Sequence, residues 1–253
     1  MTFLQYIALF TAVLIGGSLA FKFQSNNRRL LQLILSFVGA YLLGILVLHL
    51  IPDAYENSPQ SIGLWVLLGF FIQLTLEQFS LGVEHGHIHD HHHTNKPMFA
   101  LQVVLSLSIH AFIEGLPLSI GEQLHAVVES DCLTKGLEHH HDHSNLFYGV
   151  MMHKAPEAFA LALLLLMSGF KKQTVWLSIL AFAAMSPLGA FVTQSIHFEP
   201  DTLRKIIAIV IGSLLHISTT ILFEIDNTDE HRISWPKIGA IVVGVGLSML
   251  TLL

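Results

Sequence analysis

Eight apolar runs, each close to twenty residues long and nearly free of charge, constrain this chain more than any other feature of its sequence. In hydrocarbon a backbone amide or carbonyl has no water to pair with. Runs of this length therefore close their hydrogen bonds internally, as helices crossing a bilayer. They fall at about residues 3–21, 30–51, 61–83, 98–120, 146–169, 174–196, 203–223 and 236–253. The expected fold is an all-α membrane protein with eight transmembrane helices in one domain over residues 1–253. Charged residues make up only 12% of the chain, against roughly a quarter in soluble domains. The first run has no charged segment before it and no small-residue cleavage site, so it reads as a retained helix and not a signal peptide. The lone Cys132 excludes an intramolecular disulfide and a cysteine-based zinc framework. With a net charge of -6 and no basic run, nothing argues for nucleic acid as a partner; the partner is the lipid bilayer.

Lys and Arg set an expected orientation. The turns after helices 1, 3, 5 and 7 carry Lys22, Arg28, Arg29, Lys96, Lys171, Lys172, Arg232 and Lys237. Those after helices 4 and 6 carry Lys135, Arg204 and Lys205. Eight against three places both termini outside, extracellular or periplasmic, although Arg204 and Lys205 pull the other way. Two histidine-rich stretches interrupt the apolar runs. Residues 84–97 then form a cytoplasmic loop holding His85, His87, His89, His91, His92 and His93. Residues 121–145 form an outer loop holding His139, His140, His141 and His143. Both stretches suit weak chelation of metal in water, with affinity lost below about pH 6.5 as imidazoles protonate. Capture, sensing and mere solvation are all open readings for them.

The remaining cation, Lys154, lies inside helix 5, between two residues that lipid does not readily tolerate. Helix 5 contains His153-Lys-Ala-Pro-Glu157, and helix 4 contains His110-Ala-Phe-Ile-Glu114. Residues four apart share a helix face. Consecutive helices run antiparallel, and a rise of about 1.5 Å per residue brings the two pairs to one patch near mid-membrane. Ionisable groups at that depth are expensive and mark function. Imidazole and carboxylate together suit zinc, and also Fe2+, Mn2+, Co2+ or Cd2+. Two carboxylates against a divalent ion leave a nearly neutral site. Pro117 and Pro156 adjoin the pairs, either as ordinary kinks or as bends that open space for an ion.

These segments resemble the ZIP (Zrt-, Irt-like protein) family of divalent-metal transporters. His110-Ala-Phe-Ile-Glu114-Gly and His153-Lys-Ala-Pro-Glu157-Ala are similar to its paired signatures, and His49-Leu-Ile-Pro-Asp53 and Ser186-Pro-Leu-Gly189 add to the likeness. The resemblance implies a ZIP-type bundle in a plasma or bacterial inner membrane, with zinc or a similar metal taken up into the cytoplasm. It implies a transport site of His110, Glu114, His153 and Glu157, and a shift of helices 4 and 5 relative to the rest. A homodimer is compatible with it. Some family members hold two metals, using positions that here are Ala111, Lys154 and Ser186. None of these favours a second ion, so a single metal is expected, with Lys154 as a tethered counter-charge; the competing reading is a lysine snorkelling to the surface.

Other polar groups leave alternatives open. His49 and Asp53, four apart near the outer end of helix 2, either receive metal or form a polar helix end. Glu77, one turn after Gln73, lines the exit, accepts a proton or bonds a neighbouring helix; His216 faces the same choice, and Ser186 is a possible pathway residue. Ser213, Ser218, Thr219 and Thr220 read as helix-packing residues. The competing functions are an intramembrane zinc hydrolase and a metal sensor without flux. A His-Glu-x-x-His protease motif is missing, since no His-Glu dipeptide occurs in the chain. The reading is therefore a transporter and not an enzyme.

Overall fold

The computed structural model describes residues 1–22, 28–56, 61–80, 96–119, 144–196, 198–223 and 234–250. Both histidine clusters and Cys132 lie outside them. Among the described residues all regular structure is helical, in eight helices. They are α1 (Phe3–Leu19), α2, α3 (Ile62–Ser80), α4 (Lys96–Gly115), α5 (Ser144–Met167), α6 (Lys172–Ser195), α7 (Pro200–Phe223) and α8 (Trp235–Leu250). The rod called α2 is composite: Arg28–Ile45, a π-helical turn Leu46–Leu50, and Ile51–Glu56.

Six helices, α2 to α7, are long and apolar enough to cross a membrane. The shorter α1 and α8, with 17 and 16 residues, rise only about 25 Å at the helical pitch. Large apolar side chains cover the outer faces, among them Leu64 and Phe71 on α3, Leu177 and Phe191 on α6, and Val242 and Val243 on α8. A soluble fold would bury such residues. Here lipid is their solvent.

Two helix ends depart furthest from the sequence expectation. Helix 2 was expected to stop at Ile51 before Pro52, but it continues to Glu56. In the π turn the Ile51 amide reaches back to the Leu46 carbonyl, one residue farther than in an α-helix. That wide turn makes room for the Pro52 ring, which would otherwise press on the preceding turn. Helix 4 was expected to reach Ile120, yet α-helical geometry ends at Gly115 and tightens into a 3-10 turn, Leu116–Ser119. Pro117 has no amide to continue the α-helical ladder, so the chain leaves it there.

The helices pack as two groups. One comprises α1, α4, α5 and α6, with α1 on α5 and α4 on α6 as its main pairings; the other comprises α2, α3, α7 and α8, with α3 on α7 and α2 on α8. The groups meet where α2 packs on α5 and α3 on α4. Small residues make the tightest crossings. A Cβ on Gly115 would run into the Ser186 backbone, and one on Gly189 into the Phe112 carbonyl. This reciprocal contact, of the kind that lets membrane helices approach closely, clamps α4 to α6 beside Glu114. By contrast α4 and α5 touch little along their backbones, so only long side chains bridge the gap between them.

Candidate metal centre

That gap holds the four residues singled out from the sequence. His110 and Glu114 project from α4, His153 and Glu157 from α5, and all four are fully buried. Each offers a ligand atom, and the four atoms lie within 4.8 Å of one another. His110 Nε2 is 3.0 Å from Glu114 Oε1 and 3.5 Å from Glu157 Oε1. His153 Nε2 is 3.8 Å from Glu157 Oε2. The imidazoles stand edge to face, with ring centroids 6.3 Å apart. Four nitrogen and oxygen donors around one point match the preference of zinc and similar divalent metals.

The decisive feature is what these atoms lack. His110 Nε2, Glu114 Oε1, His153 Nε2 and Glu157 Oε1 make no hydrogen bond to the described residues, although each is buried. Buried polar atoms are nearly always paired, and an unpaired one costs about 1–3 kcal/mol or more. Four such atoms facing one another make a cradle that could hold a cation.

Lys154 enters the same cradle. Its ammonium contacts Glu114 Oε2 and donates to Glu157 Oε2 at 2.9 Å, and it sits 5.3 Å from the centre of the Phe182 ring. The side chain is 0% exposed, so it does not snorkel to a surface. Lys154 thus pairs with one oxygen of each carboxylate; on Glu157 that oxygen, Oε2, is also the one 3.8 Å from His153 Nε2. Isolated charges at this depth would be prohibitive, and the ion pairs offset part of that cost. Pro156, inside α5 between Lys154 and Glu157, removes the amide donor that the Met152 carbonyl would otherwise use, loosening the helix at the site.

The other candidates lie around this centre. Ser186 is buried and donates to the Ala111 carbonyl at 3.0 Å, clasping α6 to α4. His216 Nε2 pairs with Glu77 Oε2 across α7 and α3, and Phe70 packs edge-on against the His216 ring at 4.8 Å. His49 lies in the π turn of α2, and Asp53 is exposed in the segment beyond it. Neither joins the central cluster. Ser218, Thr219 and Thr220 bond to carbonyls of their own helix. Ser213 does not: it donates to Gln73 Oε1 at 2.9 Å, and the same oxygen lies 2.8 Å from His110 Nδ1. From the sequence, Ser213 reads as a packing residue and Gln73 only as a neighbour of Glu77. The available signal was helical spacing: Gln73 and Glu77 share a face of α3 four residues apart, and Ser213 and His216 share a face of α7 three apart.

A family model described as ZIP zinc transporter matches residues 1–98 and 82–252. The chain belongs to the ZIP family. Among curated proteins it is similar to zinc transporter SLC39A7 of Mus musculus, 39% identical over 85 residues, 26% of this chain and 18% of that protein. The same transporter of Rattus norvegicus is 41% identical over 85 residues, again 26% and 18%. That of Homo sapiens is 41% identical over 81 residues, 24% and 17%. The match therefore spans less than a fifth of the length of these relatives. ZIP proteins are metal transporters, and the helices of this ZIP chain supply the membrane-spanning architecture that such a role requires.

Proposed function

We propose that the chain carries zinc across a cell membrane, plasma or bacterial inner, into the cytoplasm through a single site formed by His110, Glu114, His153 and Glu157. The observation that carries this reading is the convergence between α4 and α5 of four buried ligand atoms that make no hydrogen bond to the described residues. Such a cradle binds a divalent ion and, lying between two helices with few backbone contacts, can release it. Fe2+, Mn2+, Co2+ and Cd2+ share the ligand preference and are expected competitors.

Lys154 changes the charge account. With neutral histidines, two carboxylates and one ammonium sum to -1 in the empty site, and a divalent ion brings it to +1. Counting the carboxylates alone would make the loaded site neutral. Equal and opposite charges in the two states keep either from becoming a trap in a low-dielectric setting. The ammonium also occupies the space beside the ligands where a second cation would sit. We take one ion per site.

Both termini lie outside in this reading, as the Lys and Arg distribution favours. His49 and Asp53 then stand at the outer mouth. Glu77 and His216 lie toward the cytoplasm, one turn beyond Gln73. The histidine clusters at 85–93 and 139–143 serve as auxiliary chelators on the two sides, and a homodimer is the oligomeric form to test. Ser186 acts as the clasp between α4 and α6.

Purified protein reconstituted into liposomes and supplied with external radioactive zinc tests the proposal. Saturable accumulation, reduced by competing divalent metals, is expected. A sensor or an intramembrane hydrolase would bind zinc and accumulate none.

A further inference from the structure

The two histidines of the quartet are held differently. Neither ring nitrogen of His153 has a hydrogen-bond partner among the described residues. His110 has one at Nδ1, and it comes from the other helix group: Gln73 of α3, at 2.8 Å. Gln73 is 0% exposed, and Ser213 of α7 donates a second hydrogen bond to the same Oε1 at 2.9 Å. A glutamine carbonyl oxygen can only accept. With Ser213 and His110 both directed at it, His110 Nδ1 carries the proton, and in the neutral imidazole this leaves the lone pair on Nε2. Nε2 is the atom that faces Glu114 Oε1 and Glu157 Oε1.

We propose that Gln73 is a positioning residue for metal binding: it fixes His110 in the Nδ1–H tautomer and aims its Nε2 at the ion, while Ser213 orients Gln73. The inference rests on the quartet being the metal site. Its physical basis is general. An imidazole binds a metal through one nitrogen only if the other is the protonated one, and a partner at that second nitrogen fixes both tautomer and ring orientation. Without Gln73 the His110 ring is free to adopt either tautomer and to rotate. His153, with no equivalent partner among the described residues, remains the adjustable ligand. Gln73 is thus a link by which α3 and α7, in one helix group, act on a ligand carried by the other.

Zinc uptake by the full-length protein in liposomes, with four variants measured in parallel, tests this. Gln73→Leu keeps the volume but removes the acceptor, and the KM for zinc is expected to rise about 10–100-fold. Gln73→Glu restores an oxygen that accepts from Nδ1–H, and its KM is expected to stay within about threefold of wild type. Ser213→Ala leaves the acceptor in place but unbraced, giving a smaller rise than Gln73→Leu. Glu157→Ala reports on the quartet itself and is expected to lose uptake. An unchanged KM in Gln73→Leu, with uptake lost in Glu157→Ala, would overturn the positioning role and leave the metal site standing. Equal impairment of Gln73→Leu and Gln73→Glu would also overturn it, since packing and not an acceptor would then be at issue. Normal uptake by Glu157→Ala would remove the quartet, and the inference with it.

Discussion

Two sets of histidine and glutamate meet between helices of this bundle, and they are built on opposite terms. Glu77 and His216 pair directly with each other across α3 and α7, braced by Phe70. In the quartet His110 Nε2, Glu114 Oε1, His153 Nε2 and Glu157 Oε1 make no hydrogen bond to the described residues, and Lys154 pairs with the other oxygen of each carboxylate. The residue types are the same. A satisfied pair holds helices together and must open before it can take a metal. An unsatisfied quartet keeps its ligands free, at a cost in stability that an incoming cation recovers.

That contrast can be broken experimentally, and the largest effect is expected at the quartet. Replacing Glu114 with alanine removes one of four donors from a closed buried site, so zinc uptake should fall by two orders of magnitude or more on the scale of metal-ligand losses. Lys154→Ala comes next. It strands two buried carboxylates, and loss of one partner of such an arrangement costs about 3–5 kcal/mol. The zinc-free protein should melt at a lower temperature and recover on adding zinc, while uptake turns over more slowly because the more negative site holds its ion. Thermal melting with and without zinc checks this; a variant that melts, binds and transports like wild type would end the counter-charge role.

Smaller effects are expected at the satisfied pair. Glu77→Gln leaves the quartet intact, so maximal uptake should drop a few-fold while the KM for zinc stays near wild type, in keeping with loss of a single hydrogen-bonded partner. A rise in KM as large as that of a quartet variant would erase the distinction between the two sets. Smallest of all is Asp201→Asn. The Lys205–Asp201 pair has the same chemistry as Lys154 with its glutamates but is 38% and 57% exposed at 2.6 Å. Exposed pairs of this kind contribute about 0–1 kcal/mol, so neither melting temperature nor uptake should move measurably.

The quartet was legible in the sequence because its two pairs lie on consecutive helices. Consecutive helices must be antiparallel, and the regular rise of a helix converts residue counts into depth. Lys154 was legible for the same reason, since a charge between two such ligands has no shallow place to go. The hydrogen bond from His110 to Gln73 was not. It depends on which face of α3 turns toward α4, and that is decided by packing between helices that no periodicity in α3 reveals. The π turn of α2 was hidden too. Pro52 reads locally as a stop, and only the widened turn before it lets the rod continue to Glu56. Ser186, by contrast, was visible as a polar residue near the site, but its bond to the Ala111 carbonyl, made at the close Gly115/Gly189 crossing, was not.

Counting zinc bound per chain, in protein whose histidines at 85–93 and 139–143 have been replaced, tests the central claim most directly. With the auxiliary chelators gone, one zinc per chain is expected, and none in the same background carrying Glu157→Ala. Two ions per chain, or one that persists in the Glu157→Ala protein, would contradict a single site built from His110, Glu114, His153 and Glu157.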